Sequence, residues 1–269
     1  RVIYNTKYKA PFIPAMNILF DYKDYKFRAS YATGFRAPDF KELFFEFVDV
    51  NHNILGNENL VAETSNNYNL NATISKRIFK QKTITDISLF YNEILNKIDL
   101  ANSLSQSNKY SYFNIANYTT KGLSCRTSLS FPNTQINIGA AHIGRYNNMS
   151  DEYNVPKFNF STDLNLSALF TLGKKTKLNV FFNNTGRLPI FISENGSITE
   201  TYSQSYNILD CSINRRIYND LLVITIGGKN LFNITDIKQY SSNSVHSTSN
   251  NNIPVGYGRT FFTNIKFNL

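Results

Sequence analysis

From Phe158 to Leu172, apolar and polar residues trade places at nearly every step. Phe158, Phe160, Thr162, Leu164, Leu166, Ala168, Phe170 and Leu172 fall on one side. Asn159, Ser161, Asp163, Asn165, Ser167 and Thr171 fall on the other, with Leu169 the exception. A two-residue period is the signature of a strand with one wet face and one dry face. The same alternation runs through Tyr25–Tyr31, through Lys177–Asn183 and through the last residues, where Phe261, Ile265, Phe267 and Leu269 oppose Thr260, Asn264, Lys266 and Asn268. The pattern predicts strands at residues 14–22, 25–33, 62–78, 83–97, 110–131, 134–147, 156–172, 176–188, 202–218, 221–230 and 257–269, eleven in all, and residues 1–10 read as the end of another.

The connections between these strands alternate in length. Short turns fall at Lys23-Asp24, Phe79-Lys80-Gln81, Pro132-Asn133, Gly173-Lys174-Lys175 and Asn219-Asp220; long loops fall at 34–61, 98–109, 148–155, 189–201 and 231–256. In an up-and-down barrel this puts every short turn at one rim and every long loop at the other, the asymmetry of outer-membrane barrels. Several strands exceed the roughly 9–11 residues that cross a bilayer at a tilt. Strands of soluble proteins usually run about 5–6 residues. The expected fold is all-β, an antiparallel up-and-down transmembrane β-barrel. Eleven strands do not close such a barrel, because a bare edge in lipid leaves backbone groups unpaired at several kcal/mol each and bacterial single-chain barrels have even strand numbers. The chain is therefore expected to be the C-terminal portion of a barrel, and the lack of a signal peptide at Arg1-Val2-Ile3-Tyr4 agrees.

Composition supports this reading and removes others. The aromatic share is 14%, from 17 Tyr and 22 Phe, while charged residues make up only 17%, a mix suited to half-polar strands. The net charge is +9, but the Lys and Arg residues are scattered singly, so nucleic acid is not an expected partner. No run approaches a transmembrane helix. Cys125 and Cys211 form no Cys-x-x-Cys; both share a face with apolar neighbours, so they are expected to face lipid without pairing. No Gly-x-Ser-x-Gly, phosphate-binding loop or His-Glu-x-x-His is present, and no enzyme is expected.

Four short stretches carry a family resemblance. Phe35-Arg36-Ala37-Pro38, followed by Lys41-Glu42-Leu43, resembles the Phe-Arg-Ala-Pro box of TonB-dependent outer-membrane receptors. Gly56-Asn57-Glu58-Asn59-Leu60 resembles their Asn-Pro-Asn-Leu box, with Glu58 in place of the proline and thus without its rigid φ. Lys229-Asn230-Leu231-Phe232-Asn233 resembles their penultimate-strand signature, and Gly258-Arg259-Thr260-Phe261-Phe262 their closing strand; the end at Leu269 departs from the family's terminal aromatic. The resemblance implies a 22-stranded barrel, of which residues 1–269 form the C-terminal part. The first strands and the N-terminal plug lie outside the chain. It implies a Gram-negative outer-membrane location, extracellular long loops and a C-terminus at the periplasmic rim. It further implies energy coupling to TonB through the plug, and in some members a surface lipoprotein partner.

The implied function is import of a scarce nutrient, foremost an iron complex such as a siderophore or haem, with no intrinsic cofactor. Cobalamin, glycan or peptide cargo, or a passive porin-like barrel without a plug, are the alternatives. The candidate ligand-binding residues are His52, Arg36 and His246. His52 is the candidate ligand of haem iron implied by haem-receptor members; flanked by Asn51 and Asn53, it also reads as a turn residue. His246 lies in a polar loop at the same rim. Arg36 can hold an anionic ligand, or pair with Glu42 or Glu58 within the loop. Phe40, Phe44, Phe45 and Phe47 are expected to form a short helix packed on the barrel wall, with ligand stacking as the alternative. His142 shares the apolar parity of Ile136, Ile138 and Ala140 and is expected at the membrane interface. Arg28, Ser30, Asn71, Asn165 and Lys266 are expected to line the polar interior.

Overall fold

The computed structural model describes residues 5, 7–48, 53–78, 80–102, 110–147, 157–194, 197–240 and 252–267. In chain order the elements are β1 (Ala15–Tyr22), β2 (Tyr25–Arg36), the helix α1 (Phe40–Phe44), β3 (Glu46–Val48), β4 (Asn53–Leu55), β5 (Glu63–Ile78), β6 (Gln81–Asn102), β7 (Tyr110–Phe131), β8 (Thr134–Asn147), β9 (Asn159–Leu172), β10 (Thr176–Thr185), β11 (Pro189–Glu194), β12 (Ser197–Ser203), β13 (Tyr206–Ile217), β14 (Leu222–Lys229), β15 (Asp236–Tyr240), β16 (Asn252–Pro254) and β17 (Thr260–Phe267).

Eleven of these form one open path, β1-β2-β5-β6-β7-β8-β9-β10-β13-β14-β17, and every step along it is antiparallel. Among the described residues β1 pairs only with β2 and β17 only with β14. These are the eleven strands that the alternation predicts, with ends shifted by a few residues. The short turns carry left-handed backbone at Lys23 (φ 53°), Lys80 (φ 63°), Gly173 (φ 68°) and Asn219 (φ 53°). That twist matches the right-handed twist of the strands a tight hairpin joins.

Register turns the alternation into two continuous faces. Ile18, Ala29, Leu70, Leu89 and Leu123 sit in one row across five strands. Arg28, Asn71, Ser88, Ser124, Ala141 and Asp163 form a row on the opposite face. Asn165 lies one row from it, beside Gly139, Arg126 and Asp86. No large side chain among the described residues is fully buried, and Leu70 and Leu123 are half exposed. A single-layer sheet with an apolar outside needs a hydrocarbon environment to cover it. Toward the long-loop rim the apolar face ends in a row of Met16, Tyr31, Tyr68, Tyr91, Lys121, Gly144 and Phe160. Such aromatic girdles mark the water boundary of membrane barrels. Register places Cys125 with Ile87 and Ala140, and Cys211 with Val180, on the apolar face; both are free thiols.

The long loops depart from expectation. Residues 34–61 contain α1 and the β3–β4 hairpin, and β4 adds a short parallel pairing to β7 through Ile54–Tyr110 and Leu55–Ser111. Residues 189–201 and 231–256 supply a second, 4-stranded sheet, β11-β12-β15-β16. Strand β6 runs on to Asn102 rather than ending near residue 97, so its hairpin with β7 stands taller than its neighbours. Near the start, the Asn5 side chain accepts from the backbone N–H groups of Lys7 and Tyr8 at 2.9 and 2.8 Å, and residues 5 and 7–10 form no strand; residues 1–4 and 6 of the expected strand end lie outside the described residues.

Candidate functional site

The chain leaves the top of β2 through Arg36, whose polar-face parity continues that of Arg28 and Ser30. Three residues on, Asp39 starts α1. Its side chain accepts from Lys41 N–H at 2.9 Å, and the Glu42 carboxylate accepts from Asp39 N–H at 2.7 Å, a capping box. Glu42 also accepts from Arg36 Nη1 at 3.0 and 2.9 Å. The other edge of the guanidinium donates to Glu63, from Nε at 2.8 Å and Nη2 at 2.7 Å. Glu63 Oε1 accepts in addition from Ile98 N–H at 2.6 Å. One arginine therefore ties β2, α1 and β5 together, and Glu63 passes the link to β6. Of the two carboxylates expected beside Arg36, Glu42 is a partner and Glu58 is not. Glu58 lies exposed in a turn, whereas Glu63 faces Arg36 directly across the β2–β5 register.

Electrostatics follow from this geometry. Burial pushes the Glu63 carboxyl up, but the hydrogen bonds from Arg36 and the Ile98 N–H, with the charges of Arg36 and Lys97, outweigh it and hold the group below its ordinary value. The bond to Glu63 leads in raising Arg36 above its own ordinary value, against partial burial. Nε, Nη1 and Nη2 of Arg36 are all engaged, so an incoming anion has to displace a carboxylate to use this residue fully.

Beneath this knot lies a small core of Leu43, Leu60 and Ile98, with Tyr112 packed against it. The expected Phe packing is corrected here. Leu43 is the helix residue that buries, while Phe40 is 78% exposed and meets Phe44 in a tilted contact with ring centres 5.0 Å apart. Five residues of helix present one buried position, and Leu43 occupies it.

The second box builds the floor. Gly56 N–H donates to Phe45 O at 2.6 Å, and a Cβ there would lie 2.5 Å from Leu43 O, so only glycine fits. Asn57 N–H donates to Glu42 O at 2.9 Å, Asn57 Nδ2 donates to Tyr112 O at 2.9 Å, and Asn57 Oδ1 accepts from Asn59 N–H at 3.0 Å. That last bond is an Asx turn, which holds locally the bend that a proline at position 58 would have set. Leu60 is 3% exposed, and Pro38 is buried as well. Phe35 lies opposite Thr64 at the end of β2, and Ala37 links it to the cap.

Sequence reading missed Asn114. Its Oδ1 accepts from Val61 N–H at 3.0 Å, and its Nδ2 donates to Val61 O at 3.1 Å and Asn96 O at 2.7 Å. Asn96 and Ala116 are both left out of the β6–β7 pairing with no change of register on either side, and Asn96 adopts left-handed backbone at φ 55°. An asparagine amid alternating residues carried no sign of this, although asparagine is among the few residues that adopt left-handed backbone.

The third stretch forms a similar knot at the top of β14. Asn230 N–H donates to Asp210 Oδ1 at 2.8 Å, its Nδ2 donates to Ile234 O at 2.7 Å, and its Oδ1 accepts from Ile234 N–H at 3.0 Å. Leu231 N–H donates to Leu209 O, Leu231 O accepts from Arg259 Nε at 3.0 Å, and Phe232 remains half exposed. Both knots join the wall to the rim by side-chain-to-backbone bonds. His52 and His246 fall outside the described residues. His142 stacks on Phe160 at 4.9 Å and contacts Thr162 Oγ1 through Nδ1 at 2.8 Å, on the apolar face near the girdle. Among the described residues no group of three or more His, Cys, Asp or Glu could hold a metal ion.

An open antiparallel wall with an apolar outside, a polar inside and a structured rim is the class of an outer-membrane barrel. The chain belongs to the TonB dependent receptor-like, beta-barrel family, whose model matches residues 4–231. Barrels of this family lie in the outer membrane and act as transport receptors, not enzymes. Among solved structures, the siderophore receptor PirA from Acinetobacter baumannii superposes with a TM-score of 0.67 at 17% identity, covering 97% of this chain and 41% of that one. The copper transporter OprC superposes at 0.64 with 15% identity, covering 94% and 38%. These likenesses show the shared fold. A hemoglobin and hemoglobin-haptoglobin-binding protein of Haemophilus ducreyi is 39% identical over 83 residues, 30% of this chain and 8% of that protein. The chain thus spans well under half the length of these relatives.

Proposed function

We propose that this chain is the C-terminal half of an outer-membrane receptor that binds an iron complex, a siderophore or haem, and imports it by TonB-dependent transport. The family match over residues 4–231 carries this reading. In it, the long loops face the exterior, and the short turns and the C-terminus lie at the periplasmic rim. A plug contributed from outside these residues couples the barrel to TonB, and a surface lipoprotein is a further partner. The polar row through Arg28, Asn71 and Ser88 forms part of the wall of the path. Arg36 and the boxes around Gly56 and Asn230 hold the mouth in shape rather than grip cargo, because their polar groups are spent on the protein itself.

Haem is favoured among iron complexes by the 39% identity to the Haemophilus ducreyi hemoglobin-binding protein, and His52 and His246 are its candidate contacts. Difference absorption spectroscopy of the full-length receptor with haem tests this. A Soret band that His52→Ala abolishes supports His52 as the iron ligand; a band unchanged in the variant removes it. If haem fails to bind and a ferric siderophore binds, the cargo is the siderophore. If neither binds, the iron reading fails.

A further inference from the structure

The apolar face carries one feature that transport does not use. Lys121 stands in the girdle row, between Tyr91 and Gly144, with its side chain on the apolar side of the sheet. Its ammonium lies over the Phe158 ring at 3.8 Å and the Phe160 ring at 5.9 Å. Phe158 packs against Tyr146 with centres 5.6 Å apart, and Lys157 lies over that Tyr146 ring at 5.5 Å. Neither lysine forms an ion pair among the described residues, whereas Lys26 and Lys97 each pair with an aspartate. The two cations therefore share one aromatic platform, with no carboxylate paired to either among the described residues.

Below Lys121 the sheet opens into a hollow of about 390 Å³, lined chiefly by Leu70, Leu89, Leu123, Tyr68 and Tyr91. His142, stacked on Phe160, flanks it. A lysine on the lipid face is tolerated near the interface and costs several kcal/mol at the bilayer midplane. Lys121 thus lies at headgroup depth, with the leucines at acyl-chain depth beneath it. Gly144, the cross-strand neighbour of Lys121, leaves room for this, because a Cβ there would collide with the Phe160 ring at 2.5 Å.

We propose that Lys121 and Lys157, on the platform of Tyr146, Phe158 and Phe160, bind the phosphate headgroup of a membrane lipid whose acyl chain lies along the hollow beneath. Charge complementarity selects the headgroup, since two ammonium groups that form no ion pair among the described residues stand on this platform, and the apolar hollow selects a lipid over a free anion. The site rests on the membrane location of the family and is independent of the cargo.

The test is native mass spectrometry of the full-length receptor in detergent, with diphosphoryl lipid A or phosphatidylcholine added. The wild type is expected to retain lipid A in preference to phosphatidylcholine. The double variant Lys121→Gln with Lys157→Gln is expected to bind lipid A about thirtyfold more weakly, from about 1 kcal/mol per lysine at a membrane surface. A control pair, Lys174→Gln with Lys175→Gln at the opposite rim, is expected to bind as the wild type does. Heat-modifiable migration on gels confirms that both variants fold. Equal retention by wild type and double variant overturns the proposal, as does equal loss in the control pair. Full displacement of lipid A by inorganic phosphate marks a free-anion site and also overturns it.

Discussion

The wall and the mouth of this barrel are held by different means. In the wall, a row such as Ile18, Ala29, Leu70, Leu89 and Leu123 is kept in place by the backbone ladder, and each side chain needs only the correct parity. In the mouth, residues 36–63 have little ladder. Single side chains carry the structure: Arg36 across Glu42 and Glu63, Asn57 on Tyr112 O, Asn114 on Val61 and Asn96. The contrast teaches where substitution is tolerated. A wall residue is one of many equivalent positions on a face, whereas a mouth residue is a particular joint whose loss nothing adjacent replaces.

The sharpest test of this contrast is Gly56→Ala. The added Cβ meets backbone rather than a flexible side chain, at 2.5 Å from Leu43 O, so α1 and the 56–60 turn have to separate. Local destabilisation of about 1–3 kcal/mol is expected. Hydrogen exchange should show faster exchange at Leu43, Gly56 and Asn57 with the β5–β10 amides unchanged. If the whole barrel loosens instead, the mouth and wall are one cooperative unit and the contrast fails.

Acid should act next in size, at the Glu63 joint of the mouth. Glu63 is held below its ordinary value in the folded chain, so its link to Arg36 contributes stability above the unfolded carboxylate range, near about 4.3, and loses it as pH falls through the lower folded value. Both partners are partly exposed, which keeps the contribution to about 1 kcal/mol. Protection of the Ile98 amide, bonded to Glu63 Oε1, should fall with the titration. Protection that persists to lower pH would show that the ladder, not the carboxylate, holds that amide.

The smallest effect is expected from Leu123→Ile in the wall. The side chain keeps its volume and its apolar-face position and remains β-compatible, so a change under about 0.5 kcal/mol in unfolding from lipid is expected. A larger loss would mean that shape as well as parity matters on this face.

Alternation is a local property, and it was enough to place eleven strands, their two faces and the two unequal rims. It also put Cys125, Cys211 and His142 on the correct face, because a strand cannot change parity without a bulge. The family was legible not in alternation but in the resemblance of the boxes at Phe35-Arg36-Ala37-Pro38, Gly56–Leu60 and Asn230-Leu231-Phe232, and the match over residues 4–231 shows that family. What the boxes do was decided only in three dimensions. Glu63 is 27 residues from Arg36, and Asn114 is 53 from Val61. Such partners are chosen by register across strands, by left-handed backbone at Asn96 and by one buried leucine on a five-residue helix. A periodic pattern reports which side of a strand a residue takes; which neighbour it meets there depends on how the strands line up, and that only the folded sheet decides.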